Sequence, residues 1–197
     1  MIVANRMSPN PRTIGPEASV AEALAQMQEH EVRHLPVLDN GRLVGLVTDI
    51  DLRTAYVASL LEEVQVKDVM THDPLTINSS ETVFQAARLI HQHRLTGLPV
   101  LADGKLKGII TLADILKVFV ALLGLLEESS RLDVVLRAGP GSLEEVYGII
   151  RKHEGEVVSV AQLSSEVGRR VYTFRLKKID LTSMVTALEA AGHGVLL

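Results

Sequence analysis

Two short stretches of this chain carry residue types suited to holding a sugar. Gly45-Leu46-Val47-Thr48-Asp49-Ile50-Asp51 and Gly108-Ile109-Ile110-Thr111-Leu112-Ala113-Asp114 each end an apolar run in threonine and place an aspartate three residues on. One carboxylate can accept hydrogen bonds from both vicinal hydroxyls of a ribose. The threonine hydroxyl and the free amides of a helix start can reach the same ligand. The same residues also serve as a plain helix cap, with threonine as N-cap and the acid in the first turn. Three other boxes, Ser19 with Glu22, Thr82 with Gln85 and Ser142 with Glu145, use the longer Glu or Gln at the third position, and the shorter Asp sets these two apart.

Other polar clusters point to weaker chemistry. His30-Glu31-Val32-Arg33-His34 has the H-E-x-x-H spacing of zinc proteases. That motif needs both histidines on one face of a continuous helix. Pro36 follows two residues later and disfavours helix in the residue before it. The parallel stretch, His93-Arg94-Leu95-Thr96-Gly97, lacks both the Glu and the second His. No metal site is expected, and a metallohydrolase stands only as a rival reading that bound zinc would support. His91 and His93 are two apart and would face different sides of a helix. Arg137-Ala138-Gly139-Pro140-Gly141-Ser142 reads as a strand running through a Pro-Gly turn into a helix. No Gly-x-Ser-x-Gly elbow, phosphate-binding Gly-x4-Gly-Lys loop or Rossmann glycine pattern appears, so no catalytic activity is expected.

The whole chain must position these residues. It has 197 residues, with 20 Lys plus Arg against 24 Asp plus Glu, a net charge of −4. That balance gives no basic stripe for nucleic acid and no attraction to an anionic membrane. There is no cysteine, which excludes disulfides and thiolate metal sites. Hydrophobic residues make up 47%, enough for packed cores. The longest apolar run, Val118 to Leu126, falls well short of the roughly 20 residues that span a bilayer. The N-terminus shows no basic segment followed by an apolar one. A soluble, cytoplasmic protein is expected.

The chain also repeats itself. Shifted by 63 residues, positions 7–52 show 16 identities in 46 with 70–115, where roughly three would arise by chance. Met7 falls on Met70, Thr13-Ile14 on Thr76-Ile77, Leu35-Pro36-Val37-Leu38 on Leu98-Pro99-Val100-Leu101, and both Thr-x-x-Asp stretches on each other. Each copy predicts a short strand near Thr13-Ile14 or Thr76-Ile77 and a helix opened by a capping box. Two strands joined by Asn40-Gly41 or Asp103-Gly104 follow, then a second helix. That order is β-α-β-β-α, twice. After a linker at 127–131, a strand at 132–136, a helix opened by Ser142 and running to about 153, strands at 157–163 and 170–176, a helix capped by Asp180, and a last strand at 195–197 give β-α-β-β-α-β, the ferredoxin-like order.

The Leu-Pro-Val strand, the Gly hairpin and Gly-x-x-Thr-x-x-Asp before a helix resemble the CBS (cystathionine-β-synthase) domain, and two in tandem resemble a Bateman module. Val66-Lys67-Asp68-Val69-Met70-Thr71 is similar to the usual start of a second repeat. This resemblance implies an α/β fold with CBS domains at 1–64 and 65–128, and adenosine-containing ligands in clefts between the repeats: AMP, ATP, NADH or S-adenosylmethionine. It implies that Asp51, Asp114, Thr48 and Thr111 hold the ribose, that Arg33, His34, His93 and Arg94 face phosphates, and that the strands at Thr13-Ile14 and Thr76-Ile77 run beside the base. Copy one has Glu31 where copy two has Arg94, so the clefts are expected to be inequivalent. Residues 129–197 resemble an ACT domain, which implies an amino-acid site at the Pro140-Gly141-Ser142 loop or a dimerisation role. The full arrangement resembles bacterial regulatory proteins of the acetoin-utilisation type. The expected function is a homodimeric ligand sensor, with a non-binding interaction scaffold as the alternative. Val118 to Leu126 is expected to be buried, in a homodimer.

Overall fold

The computed structural model describes residues 1–59, 64–125, 128–163 and 170–196, with side chains described up to Tyr56 in the first of these stretches. The chain divides into two compact units, Met1–Leu116 and Lys117–Leu197. Among the described residues no helix is long and apolar enough to cross a membrane.

The first unit contains both repeats up to Leu116, inside the last helix of copy two. Copy one runs α1 (Val20–Glu29), β2 (His34–Asp39), β3 (Arg42–Thr48) and α2 (Asp49–Ser59); copy two runs β5 (Ile77–Asn78), α4 (Val83–His93), β6 (Gly97–Ala102), β7 (Lys105–Thr111) and α5 (Leu112–Leu122). The hairpins close as their residues require. Asn40-Gly41 and Asp103-Gly104 all hold positive φ (48°, 78°, 51° and 72°), the two-residue turn whose twist matches the strands. Ser19 caps α1 with a complete capping box to Glu22, and the Thr82 hydroxyl accepts from the Gln85 amide at the start of α4. Val20, Ala23 and Met27 on α1 bury against Leu35, Val37, Val47 and Leu52, at roughly 1.5–3 kcal/mol for each large apolar side chain.

The segments that lead each repeat are exchanged. β1 (Ser8–Pro9) pairs with β7 of copy two, and β4 (Thr71–His72), which follows the one-turn helix α3 (Val66–Val69), pairs with β3 of copy one. The exchange follows the 63-residue shift closely. The Val83 amide donates to Met1 O as Val20 does to Val64 O, and Val3 donates to Glu81 O as Val66 does to Ala18 O. This interleaving is not visible in the self-alignment, because a repeat does not say which sheet its first strand joins.

In the second unit, β8 (Ser129–Val135), α6 (Ser142–Lys152), β9 (Val157–Leu163), β10 (Val171–Lys177), α7 (Thr182–Ala190) and β11 (Gly194–Leu196) form one antiparallel sheet in the order β11-β8-β10-β9. This is the ferredoxin-like order that the element sequence predicts. Its core holds Leu132, Val134, Phe174, Leu176, Met184 and Leu188 with Val146 and Ile150 of α6. Tyr147 meets Phe174 edge to face at 5.5 Å.

Several local expectations are corrected. The strand near Thr13-Ile14 is a single bridge from Ile14 to Val37, and its counterpart β5 begins after Thr76. Ser129–Arg131, read as linker, already belong to β8, because Ser130 and Arg131 ladder with Leu176 and Arg175. Ser142 does not cap α6. Gly141, at φ 76°, is the N-cap, and the buried Ser142 hydroxyl donates instead to Arg137 O and Gly139 O. Asp180 sits one residue before the N-cap of α7, where its carboxylate accepts from the Thr182 amide and hydroxyl. The apolar helix α5 ends at Leu122, and within one chain Leu116 and Leu122 stay 60% and 48% exposed although Ile115 and Val118 are buried. Leu126, Glu127 and Leu197 lie outside the described residues.

Candidate functional site

Thr48 closes β3 and Asp51 lies in the first turn of α2. The Asp51 Oδ2 accepts from the Thr48 amide at 3.0 Å and the Thr48 hydroxyl at 2.6 Å, and the Asp51 amide donates back to Thr48 Oγ1 at 3.4 Å. In copy two, Asp114 Oδ2 accepts from the Thr111 amide and hydroxyl at 3.0 and 2.7 Å, with the return bond at 3.3 Å. Both aspartates are half-buried. The cap uses one carboxylate oxygen. In Asp51 the other, Oδ1, accepts no hydrogen bond among the described residues, so capping and ligand binding are compatible on one side chain. The contrast between short and long acids does not hold, since Asp68 also caps α3 through the Gln65 amide at 2.9 Å. Wiring alone therefore does not separate the two readings.

The glycine of each stretch has a physical reason that the sequence did not supply. A Cβ on Gly45 would collide with the Met70 sulfur and sit 2.9 Å from its Cγ. A Cβ on Gly108 would collide with the Met7 sulfur and sit 2.9 Å from both the Met7 Cγ and the Ser8 carbonyl oxygen. Each exchanged leading segment thus lays its methionine onto the glycine of the opposite repeat, three residues before the Thr that starts the cap. The signal was present in the sequence, as Met7 aligned with Met70 and Gly45 with Gly108, but the pairing across repeats was not.

The basic residues separate into two groups. α1 ends at Glu29, so His30 and His34 share no helix face, and Glu31 (φ 52°) and its counterpart Arg94 (φ 54°) both take the left-handed conformation that stops the helix. Arg33, His93 and Arg94 are exposed and form no ion pair among the described residues. The backbone joins each pre-proline segment to the start of the following helix: Arg33 O accepts from the Asp49 amide, and Thr96 O from the Leu112 amide, each at 3.0 Å. His34 is brought inward. It stands opposite Thr48 in the ladder, its Nε2 lies 2.7 Å from Thr96 Oγ1, and its ring occupies the space beside Gly97. Burial lowers its pKa from the ordinary value of 6.5, with Asp51 opposing and Arg33 reinforcing.

In the second unit, Pro140 and Gly141 are exposed, and Ser142 is committed to shaping its own loop. No group of three His, Asp or Glu able to hold a metal exists among the described residues.

The family model for the CBS domain matches residues 3–58 and 66–121. The inosine-5'-monophosphate dehydrogenase of Korarchaeum cryptofilum is 39% identical over 104 residues, which is 52% of this chain and 21% of that enzyme. The Staphylococcus aureus enzyme is 37% identical over 120 residues, 58% of this chain and 23% of its own. The chain thus spans about a fifth of the length of the curated relatives it matches. Among solved structures, CBSX2 in complex with AMP is 35% identical with a TM-score of 0.54, covering 61% of this chain and 96% of its own. The CBS pair of MJ0100, in complex with 5'-methylthioadenosine and S-adenosyl-L-methionine, is 28% identical with a TM-score of 0.57, covering 61% and 97%. A Vibrio cholerae protein assigned to acetoin utilization (AcuB) is 31% identical with a TM-score of 0.58, covering 65% and 98%.

Proposed function

This chain belongs to the CBS-domain family, and we propose that its CBS pair is a regulatory sensor of an adenosine-containing ligand (AMP, ATP, NADH or S-adenosylmethionine). The observation that carries this reading is the carboxylate oxygen that the cap leaves open in Asp51, within a doubled Thr-x-x-Asp arrangement whose two copies agree within 0.1 Å in each Thr–Asp bond. Asp51 and Asp114 would accept from the ribose hydroxyls, with Thr48 and Thr111 holding each carboxylate in place. Arg33, His34, His93 and Arg94 would face phosphates, and guanidinium suits that task through its planar fork. Relatives bound to AMP and to S-adenosylmethionine support the ligand class. A ligand acts on such a protein only by preferring one arrangement over another.

The second unit would be an ACT-type domain that joins two chains into a cytoplasmic homodimer, with α5 contributing through its exposed Leu116 and Leu122. Two-fold pairing is the commonest closed symmetry, and the likeness to AcuB favours a role of the acetoin-utilisation kind. Thermal unfolding of the full chain with each of the four ligands tests the sensor reading. A saturable rise in Tm with at least one supports it, and no rise with any of them leaves the interaction scaffold.

A further inference from the structure

We propose that the second unit holds a separate site for a small organic or inorganic anion, a carboxylate or phosphate that carries no ammonium group. The site is an open cleft of about 640 Å³ at the ends of β8, β10 and β11, lined among others by Arg137, Arg170, Gly139, Gly192, Gly194 and Leu196. Two guanidinium groups line it, and no acidic residue does among the described residues. Three glycines line it too, and Gly139 and Gly192 hold φ of 129° and 83°, so backbone stands where side chains would otherwise fill the space.

Arg137 is held in place rather than loose. Its Nε donates to Glu145 Oε2 at 2.8 Å. The Arg137 amide donates to Nδ1 of His193 at 3.3 Å, which leaves Nε2 as the protonated nitrogen, and that nitrogen lies 3.2 Å from the same Glu145 oxygen. The His193 side chain is fully buried. The Arg137 pairing holds the Glu145 carboxyl below its ordinary range, so it stays an anion and keeps the arginine fixed. A guanidinium offers five donors, and Glu145 takes only Nε; the two terminal nitrogens of Arg137 have no partner among the described residues. Arg170 spends one weak bond, Nη2 to Gly139 O at 3.3 Å. Two such forks on one concave surface suit an anion.

The absence of an acid from the lining sets the specificity. A free amino acid would bring an ammonium group against two guanidiniums, with no carboxylate among the described lining residues to offset its charge, so the 2-oxo acid of the same shape should bind in preference. This differs from the amino-acid site expected at Pro140-Gly141-Ser142, and it does not depend on the CBS pair binding nucleotide.

The test is a titration of the full chain with pyruvate, L-alanine and inorganic phosphate, followed by amide chemical shifts and calorimetry. Pyruvate and phosphate should shift the amides of 137–139, 170 and 192–194 saturably, with alanine at least tenfold weaker. Arg170→Gln, at an exposed side chain with one contact, should fold as the parent does and lose tenfold or more in pyruvate affinity. Arg170→Lys should recover part of that loss. Alanine binding as tightly as pyruvate, unchanged affinity in Arg170→Gln, or no saturable shift with either anion would overturn the proposal.

Discussion

The two repeats share a floor and differ in their walls. At the floor, Thr48–Asp51 and Thr111–Asp114 are superimposable in their bonding, and each preceding glycine lies under a methionine from the other repeat. At the wall, copy one offers Glu31, Arg33 and an inward His34, and copy two offers Arg94, Thr96 and the bare Gly97. The Thr–Asp bonding is the same in both copies, and the segment before each proline differs. His34 and Gly97 show how divergence is accommodated: the ring of one copy takes the space that the other leaves by lacking a side chain. The two clefts are therefore expected to accept the same nucleoside and to discriminate differently among phosphates.

The largest effect that could break this equivalence comes from the floor. Asp51→Ala and Asp114→Ala should each weaken nucleoside binding at their own cleft by roughly 1.5–3 kcal/mol, since each removes a charged hydrogen-bond acceptor. Calorimetry that finds one substitution silent would show that only one cleft is competent. Next in size are the glycines. The three atoms nearest a Cβ on Gly45 all belong to the Met70 side chain, which can swing aside, whereas those nearest a Cβ on Gly108 include the Ser8 carbonyl oxygen. Both should destabilise, by about 1–3 kcal/mol for overpacking, with Gly108→Ala the more costly in urea unfolding. Equal costs would mean that the exchanged segments are held with the same freedom.

The walls should give smaller effects. Arg94→Ala is expected to reduce AMP or ATP affinity about tenfold, close to 1.4 kcal/mol, and to leave adenosine nearly unchanged. An equal loss for both would assign Arg94 to fold support. The smallest expected effect is a pH dependence from His34. Its folded pKa is depressed by burial, so below about 6.5 the unfolded chain takes up the proton first and stability falls with falling pH. Above that pH the contribution is fully retained. His34→Gln should flatten the acid side of the stability profile, and a slope that survives the substitution would place the titrating group elsewhere.

Much of this was legible in the sequence, and the failures have physical causes. The repeats, both hairpins, the Ser19 and Thr82 caps and the order of the C-terminal elements follow from local rules of turn geometry and capping, which act over a few residues. What escaped depends on long-range choices. The exchange of β1 and β4 is decided by which sheet edge offers partners. Ser142 gave up its cap because Gly141 could take positive φ and the loop carbonyls of Arg137 and Gly139 needed a donor. At the candidate site, spacing pointed to Thr48, Asp51, Thr111 and Asp114, and the resemblance named His34 with Arg33, His93 and Arg94, but neither gave the bond from His34 to Thr96, 62 residues away. The cleft of Arg137 and Arg170 was invisible because β8, β10 and β11 assemble it from three distant stretches.

The most direct measurement is calorimetric titration of the folded Asp51→Ala, Asp114→Ala double variant with the ligand that most raises the Tm of the parent chain. The ribose role of both carboxylates predicts that binding falls below detection while the unfolding transition remains cooperative. Unchanged affinity in that folded variant would contradict it and return both aspartates to helix capping alone.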